Sequence, residues 1–407
     1  MQISAKMYSN VNAKLWLKTS FVMLVGRIVF SNVHAVELTG SASFEYRHFK
    51  QESALTSPGQ HAPSVVLAPE FYARWDEGKQ SLLFSPFLRL DREDAERTHA
   101  DIRELQWLMV QDDWELRVGV GKVFWGVTES QNLVDVINQT DLVENTDGED
   151  KLGQPMINIS LFQDWGTIDL FVLPLFRERT FSGENGRLRF PLLVDTDAAR
   201  YESGAGRRHI DLAVRWTGSI ANWDIGVSHF YGTSREPLIS LNDLATSLIP
   251  YYEIMHQSGL EVQYTVDAWL WKLEAINRET SSLAFSAITG GLEYTFYSAF
   301  ESDINVGLIA EYLFNDRDDE LLSPFQDDIL LGTRLTWNDV QSTELLVGLL
   351  QDFRSQEKSI SIEASRRLGQ RWTLSLEGRF FDSDETTSLF YQFRQDDYIQ
   401  LEVARYF

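Results

Sequence analysis

From about residue 36 onward the chain repeats segments of about ten residues in which apolar side chains take every second place. Leu82, Phe84, Pro86, Leu88 and Leu90 alternate with Ser85, Arg89 and Asp91, and Ile210, Leu212, Val214 and Trp216 alternate with His209, Asp211 and Arg215. Trp269, Trp271, Leu273 and Ala275 oppose Lys272, Glu274 and Arg278, and Trp372, Leu374 and Leu376 oppose Thr373, Glu377 and Arg379. A period of two belongs to a β-strand with one apolar face. No stretch approaches the roughly 20 consecutive apolar residues that a membrane-spanning helix requires. The pattern also runs on, without a second-domain signal, past the roughly 250 to 300 residues at which single soluble cores stop growing.

Short polar stretches separate these segments at 76–79, 111–114, 163–166, 220–223, 266–269, 298–302, 337–342 and 368–372. Several carry a tryptophan, which prefers the boundary between hydrocarbon and water. Eight such turns, with the first and last strands ending on the same side, give about eighteen antiparallel strands, and an even count suits a transmembrane barrel. Sixteen stays open, because 243–266 and 156–162 read either way. The expected fold is therefore all-β: a transmembrane antiparallel β-barrel.

The final segment, DDYIQLEVARYF, sets Ile399, Leu401 and Val403 against Gln400, Glu402 and Ala404 and stops on Phe407. A strand ending flush leaves a bare edge unless another strand closes it. This segment resembles the C-terminal strand of Gram-negative outer-membrane β-barrel proteins, which commonly finish on Phe and use that strand as an assembly signal. The resemblance implies outer-membrane lipid, lipopolysaccharide and the barrel assembly machinery as partners. At the other end Lys6, Lys14 and Lys18 precede a short apolar run at 21–30 and the sequence Val33, His34, Ala35. That reads as a secretory signal peptide over 1–35, cleaved after Ala35, with the barrel over 36–407. Arg27 within the apolar run leaves an uncleaved anchor as the other reading. A first strand starting at Val36 leaves no room for a plug domain, and barrels of 16 to 18 strands without a plug enclose water.

Composition narrows the function. The formal charge is −24, and the segment 1–35 holds four cations and no anion, so the remainder carries −28. So acidic a chain does not bind nucleic acid by neutralising phosphates. Aromatic residues make up 13% of the chain, as interfacial girdles need, and with Cys 0 there is no disulfide or thiolate site.

The connections opposite the short turns are longer: 50–63, 91–98, 126–154, 177–206, 235–248 and 315–325. The third, 126–154, mixes Leu133, Val134, Val136, Ile137, Leu142 and Val143 with acids, so it packs against something. The block Gly121 to Gly126 (GKVFWG), followed by Asp135, Val136, Ile137, Asn138 and Asp141, resembles a segment of poorly characterised porin-like outer-membrane families. In diffusion porins the third loop folds inward and narrows the barrel, which makes 126–154 the candidate constriction. Its acids Glu129, Asp135, Asp141 and Glu144 could face Arg177 and Arg179 of the fourth loop, with Arg117 and Arg215 on the inner wall. Such opposed charge sets up a transverse field that sorts solutes. The alternative is that these charges pair locally. Porins are commonly trimers, so a homotrimer is possible, although the sequence carries no mark of one.

Catalysis finds little support. His48, His61, His99, His209, His229 and His256 lie in neither a G-x-S-x-G nor an H-E-x-x-H motif. His209 and His229 fall on strands with acids nearby, as lumen-facing histidines would. Asn145 to Asp150 (NTDGED) lacks the spacing and terminal Glu of an EF-hand. No enzyme, metal or cofactor is expected. The expected function is passive diffusion of small hydrophilic solutes, and an occluded structural barrel or surface receptor, or more remotely a hydrolase, is the alternative. Inner-face acids outnumber bases, which favours cations or neutral solutes, and the solute itself is not legible.

Overall fold

The computed structural model describes residues 36–55, 58–317, 325–386 and 388–407, so the expected signal segment 1–35 lies outside the described residues. Eighteen strands form one antiparallel sheet. They are β1 (Val36–Phe49), β2 (His61–Trp75), β3 (Gln80–Asp91), β4 (His99–Val110), β5 (Trp114–Gly121), β6 (Gln154–Gln163) and β7 (Gly166–Leu173), then β9 (Asp211–Ile220), β10 (Trp223–Thr233) and β13 (Ile254–Val266). The rest are β14 (Trp269–Thr280), β15 (Ala284–Phe296), β16 (Ile304–Asn315), β17 (Asp327–Trp337), β18 (Thr343–Asp352), β19 (Lys358–Leu368), β20 (Trp372–Asp382) and β21 (Tyr398–Tyr406). Three short strands, β8 (Arg200–Tyr201), β11 (Leu238–Leu241) and β12 (Leu248–Tyr252), make a separate small sheet among the long loops. β21 pairs β1 from Ser41 opposite Tyr406 to Phe49 opposite Tyr398, which closes the ring and leaves no edge.

The alternation is inverted relative to a soluble sheet. On β1, Phe44 is 50% exposed on the outside while Glu45 and its neighbours Ser43 and Arg47 are buried inside. Leu67, Leu90, Leu260 and Leu401 continue the outer apolar surface around the ring. Apolar side chains on the outer face and paired charges within are what a barrel in lipid requires. At the short-turn end Trp223 lies against Tyr264 with ring centroids 4.4 Å apart and Trp269 against Tyr294 at 4.5 Å, an aromatic girdle where the turn tryptophans placed it.

All eight short turns lie where the sequence placed them, which fixes the count at eighteen, not sixteen. The doubtful stretch 156–162 belongs to β6, and of 243–266 only β13 enters the barrel wall. Four details differ from expectation. His229 faces outward beside His256 and not into the lumen, because its neighbours Ser228 and Phe230 take the inner positions. The third loop begins at 122, since β5 stops at Gly121. The fourth connection is longer than 177–206, running over 174–210. A further loop, 383–397, carries the short helix α1 (Leu389–Phe393), whose Tyr391 amide donates to Ser388 and whose Phe390 and Phe393 are buried. The described residues contain no separate plug domain.

Candidate pore constriction

The third loop, 122–153, leaves β5 and turns inward. Asn138 holds its two ends together: Val123 N donates to Asn138 Oδ1 at 2.8 Å, while Asn138 Nδ2 donates to Gly121 O at 2.9 Å and Leu152 O at 2.8 Å. Gly126 makes the inward bend at φ +133°, where a Cβ would lie 2.4 Å from the Asn132 side chain.

Trp125, Val134, Val136 and Ile137 then pack on the inward-facing Phe171, Phe230, Met255 and Ile276 of the wall. Each such side chain, once buried, contributes on the order of 1.5–3 kcal/mol. This apolar patch on the inner wall seats the loop. Beyond it, wall carboxylates receive the loop's backbone amides. Glu274 on β14 accepts from Val127 N at 2.7 Å, Thr128 N at 3.0 Å and Val134 N at 3.2 Å. Glu311 on β16 accepts from Glu129 N and Ser130 N, both at 2.8 Å. Charged acceptors make stronger bonds than neutral ones, and they satisfy donors that a loop cannot satisfy by itself.

The loop then crosses to the opposite wall. Arg89 on β3 grips Glu144 at 2.6 Å, and Arg103 on β4 meets Asp141 at 2.7 Å. Arg97 bridges Glu45 of β1 at 2.6 Å and the carbonyl of Val143 at 2.9 Å. Arg379 on β20 reaches Asp147 at 3.1 Å. The segment 126–147 thus spans the lumen from β14 and β16 to β3, β4 and β20.

Of the remaining residues singled out in the sequence, Glu129 meets Arg334 at 2.7 Å and Lys272 at 3.7 Å, and Asp135 pairs with Lys151 at 3.1 Å. Arg177 faces Asp101 at 2.9 Å, Arg117 pairs with Glu115, and Arg215 pairs with Glu261. Arg179 donates to the neutral Gln139 at 3.2 Å. The third-loop acids and the fourth-loop arginines are therefore not brought into ion pairs with each other; wall cations and Lys151 take the acids instead. Arg103 is the partner hardest to read, because it sits at a bulge where Ser85 pairs with Glu104 but Pro86 with Ile102. The signal is a phase slip: Ile102 and Leu105 both face outward although three residues apart.

What stays open is a cavity of about 480 Å³ between the loop segment 145–150 and the wall of β17 to β21. Asp147, Glu149, Asp150, Glu344, Glu363, Glu377 and Glu402 line it, against Arg334 and Arg379. Glu149 and Asp150 touch solvent yet sit deep in the ring of protein. Burial, then the charges of Asp147 and Glu363, raises Glu149 to about 7, and burial, then Glu144 and Asp147, raises Asp150 to about 6.

His99, Asp141 and Glu144 bring one ligand atom each within 4.8 Å of one another. The carboxylates are already held by Arg103 and by the Arg89 fork, so the cluster has the charge balance of a clamp and not of a cation site. His209 Nδ1 donates to the Asp211 carboxylate at 2.7 Å, and Asp211 also holds Arg235 at 2.7 Å, an arrangement that braces the wall against the loop carbonyl of Ile137.

Neither a protein-family profile nor a curated protein matches the sequence. Among solved structures, the chain is similar to Pseudomonas aeruginosa OccK3 (OpdO), with TM-score 0.55 and 10% identity over 91% of this chain and 96% of that one. It is similar to Pseudomonas aeruginosa OccK11 (OpdR) at TM-score 0.51 and 10% identity, over 91% and 95%. A mutant of Rh. blastica porin aligns at TM-score 0.45 with 12% identity over 92% and 100%. The likeness is one of fold: a closed antiparallel β-barrel, here of eighteen strands.

Proposed function

We propose that the porin-like barrel is a passive channel of the bacterial outer membrane for small hydrophilic solutes, with 122–153 as its constriction. The observation that carries this is the charge-lined cavity beside the loop. A barrel that needed only to be closed could fill its lumen with apolar side chains, whereas here a cavity of about 480 Å³ is lined by charges. Seven carboxylates against two guanidiniums along it favour cations and neutral solutes over anions.

In this reading the paired acids Glu129, Asp135, Asp141 and Glu144 shape the constriction by fixing the loop. Glu149, Asp150, Glu344 and Glu402, which have no salt bridge among the described residues, supply the field that the solute meets. Binding to lipid and lipopolysaccharide, assembly through β21 and any trimer belong to the same proposal. No nucleophile aligned with a histidine and an acid supports catalysis among the described residues. Liposome swelling tests the reading: proteoliposomes should swell in small neutral sugars, and proteoliposomes that do not would leave the occluded barrel or receptor. A gradient of KCl should give a reversal potential of the sign set by potassium; one set by chloride would overturn the cation preference.

A further inference from the structure

A second cavity, of about 280 Å³, lies at the long-loop end, on the other side of the loop segment 142–146 from the acidic passage. Its chemistry is opposite. Phe181, Leu238, Ile239, Phe285, Leu389 and Phe393 give it apolar walls. Four guanidiniums, of Arg179, Arg189, Arg278 and Arg317, line it against two carboxylates, of Glu236 and Glu253.

The pairing inside it is incomplete among the described residues. Glu236 is shared by Arg278 at 3.0 Å and Arg317 at 3.2 Å. Burial opposes its charge, but Arg278, Arg317 and Arg179 outweigh burial and hold it well below the usual carboxylate range. Glu253 is taken by the hydroxyls of Ser281 at 2.6 Å and Ser282 at 2.8 Å. Arg179 donates through Nε to the amide of Gln139, and Arg189 donates only to backbone carbonyls. Burial pushes both below the ordinary arginine range. Neither Arg179 nor Arg189, both half-buried, makes an ion pair among the described residues, so four guanidiniums share two carboxylates in an apolar-walled recess and the excess positive charge is costly there.

We propose that this recess binds an amphipathic anion, with a single carboxylate or sulfate head on Arg179 and the Arg278–Arg317 pair and an unbranched apolar body along Leu238, Ile239 and Phe181. A small hydrophilic anion would satisfy the arginines but leave the walls wet, and an apolar cation would meet like charge. The recess calls for both halves in one molecule. Such a ligand is distinct in chemistry from the solutes proposed for the acidic passage, so the site stands whether or not that passage conducts.

The test is equilibrium dialysis of radiolabelled decanoate against the barrel in phosphatidylcholine nanodiscs, with empty nanodiscs as the baseline. The expected result is saturable binding at one site per barrel, displaced by decyl sulfate but not by acetate or decyltrimethylammonium. Octanoate should bind about tenfold more weakly, as the loss of two buried methylenes requires. Arg179→Gln should weaken decanoate at least tenfold. Leu238→Glu, which changes only the small sheet outside the barrel wall, should do the same while the barrel stays folded. Absence of barrel-dependent binding, equal displacement by the cationic amphiphile, or unchanged binding in both variants would overturn the proposal.

Discussion

Arg89 on β3 holds Glu144 of the third loop through Nε at 2.9 Å and Nη2 at 2.6 Å, with both side chains buried inside the barrel. Glu144→Ala would remove one of the two carboxylates that hold a buried guanidinium, a loss of about 1.5–3 kcal/mol for a charged hydrogen bond of this kind. Arg89 keeps Glu45 at 3.1 Å, so the barrel itself should survive. The loop, weakened on this side but still tied through Asp141, Val143 and Asp147, should fluctuate more within the lumen. Single-channel recordings of Glu144→Ala should therefore show higher and noisier conductance than wild type. Unchanged conductance would mean that the apolar seat around Trp125 and the remaining contacts of Asp141, Val143 and Asp147 suffice to hold the loop.

Two consecutive residues of β21 offer opposite outcomes for one substitution. Leu401 is on the outer face and 42% exposed, whereas Glu402 lines the acidic cavity inside. Leu401→Arg should destabilise the barrel by about 2–4 kcal/mol, the cost of a lipid-facing arginine near mid-membrane. Glu402→Arg would add a cation among the acids of that cavity and should leave the folded fraction close to wild type. Heat-modifiable mobility on gels after refolding into vesicles reads both, and equal loss in the two variants would contradict the assigned faces.

The strands were legible because period two and turn chemistry are local: Trp223, Trp269 and Trp372 each mark a turn within a few residues of their position. That the third loop packs was also legible, since Val134, Val136 and Ile137 are too apolar for solvent. The electrostatics were not. Glu129 finds Arg334 and Glu144 finds Arg89, partners far apart in sequence, and no spacing rule distinguishes Arg334 from Arg177 as the counter-ion of a loop acid. Arg103 was further hidden by its bulge, and α1 by its five-residue length.

Which acids act on solutes follows from which are unpaired. Asp141 is fully buried and engaged by Arg103 and Thr180, while Glu344 and Glu402 line the open cavity without a salt bridge among the described residues. Replacing Glu344 and Glu402 together by Gln should lower the potassium-to-chloride permeability ratio severalfold, since charges facing the passage set its potential. Asp141→Asn should change that ratio less and conductance more. The ratio from reversal potentials in a KCl gradient decides it; the opposite ranking would reinstate the paired loop acids as the selectivity element.

Selectivity should also depend on pH in a direction fixed by Glu149 and Asp150. Their carboxyls are raised to about 7 and about 6, by burial and by neighbouring acids, from ordinary values near 4. At pH 5 both hold their protons, and at pH 8 both are charged, so the passage gains negative charge across this interval. The potassium-to-chloride ratio should therefore rise from pH 5 to pH 8, with its steepest change between about 6 and 7. Stability runs the other way. A carboxyl that binds its proton more tightly when folded stabilises the fold at low pH, and that contribution is lost as pH rises from the unfolded value to the folded one. Glu149→Gln combined with Asp150→Asn should flatten the permeability profile and remove that decline in stability. A wild-type ratio constant from pH 5 to pH 8 would mean that solutes do not pass this pair of acids.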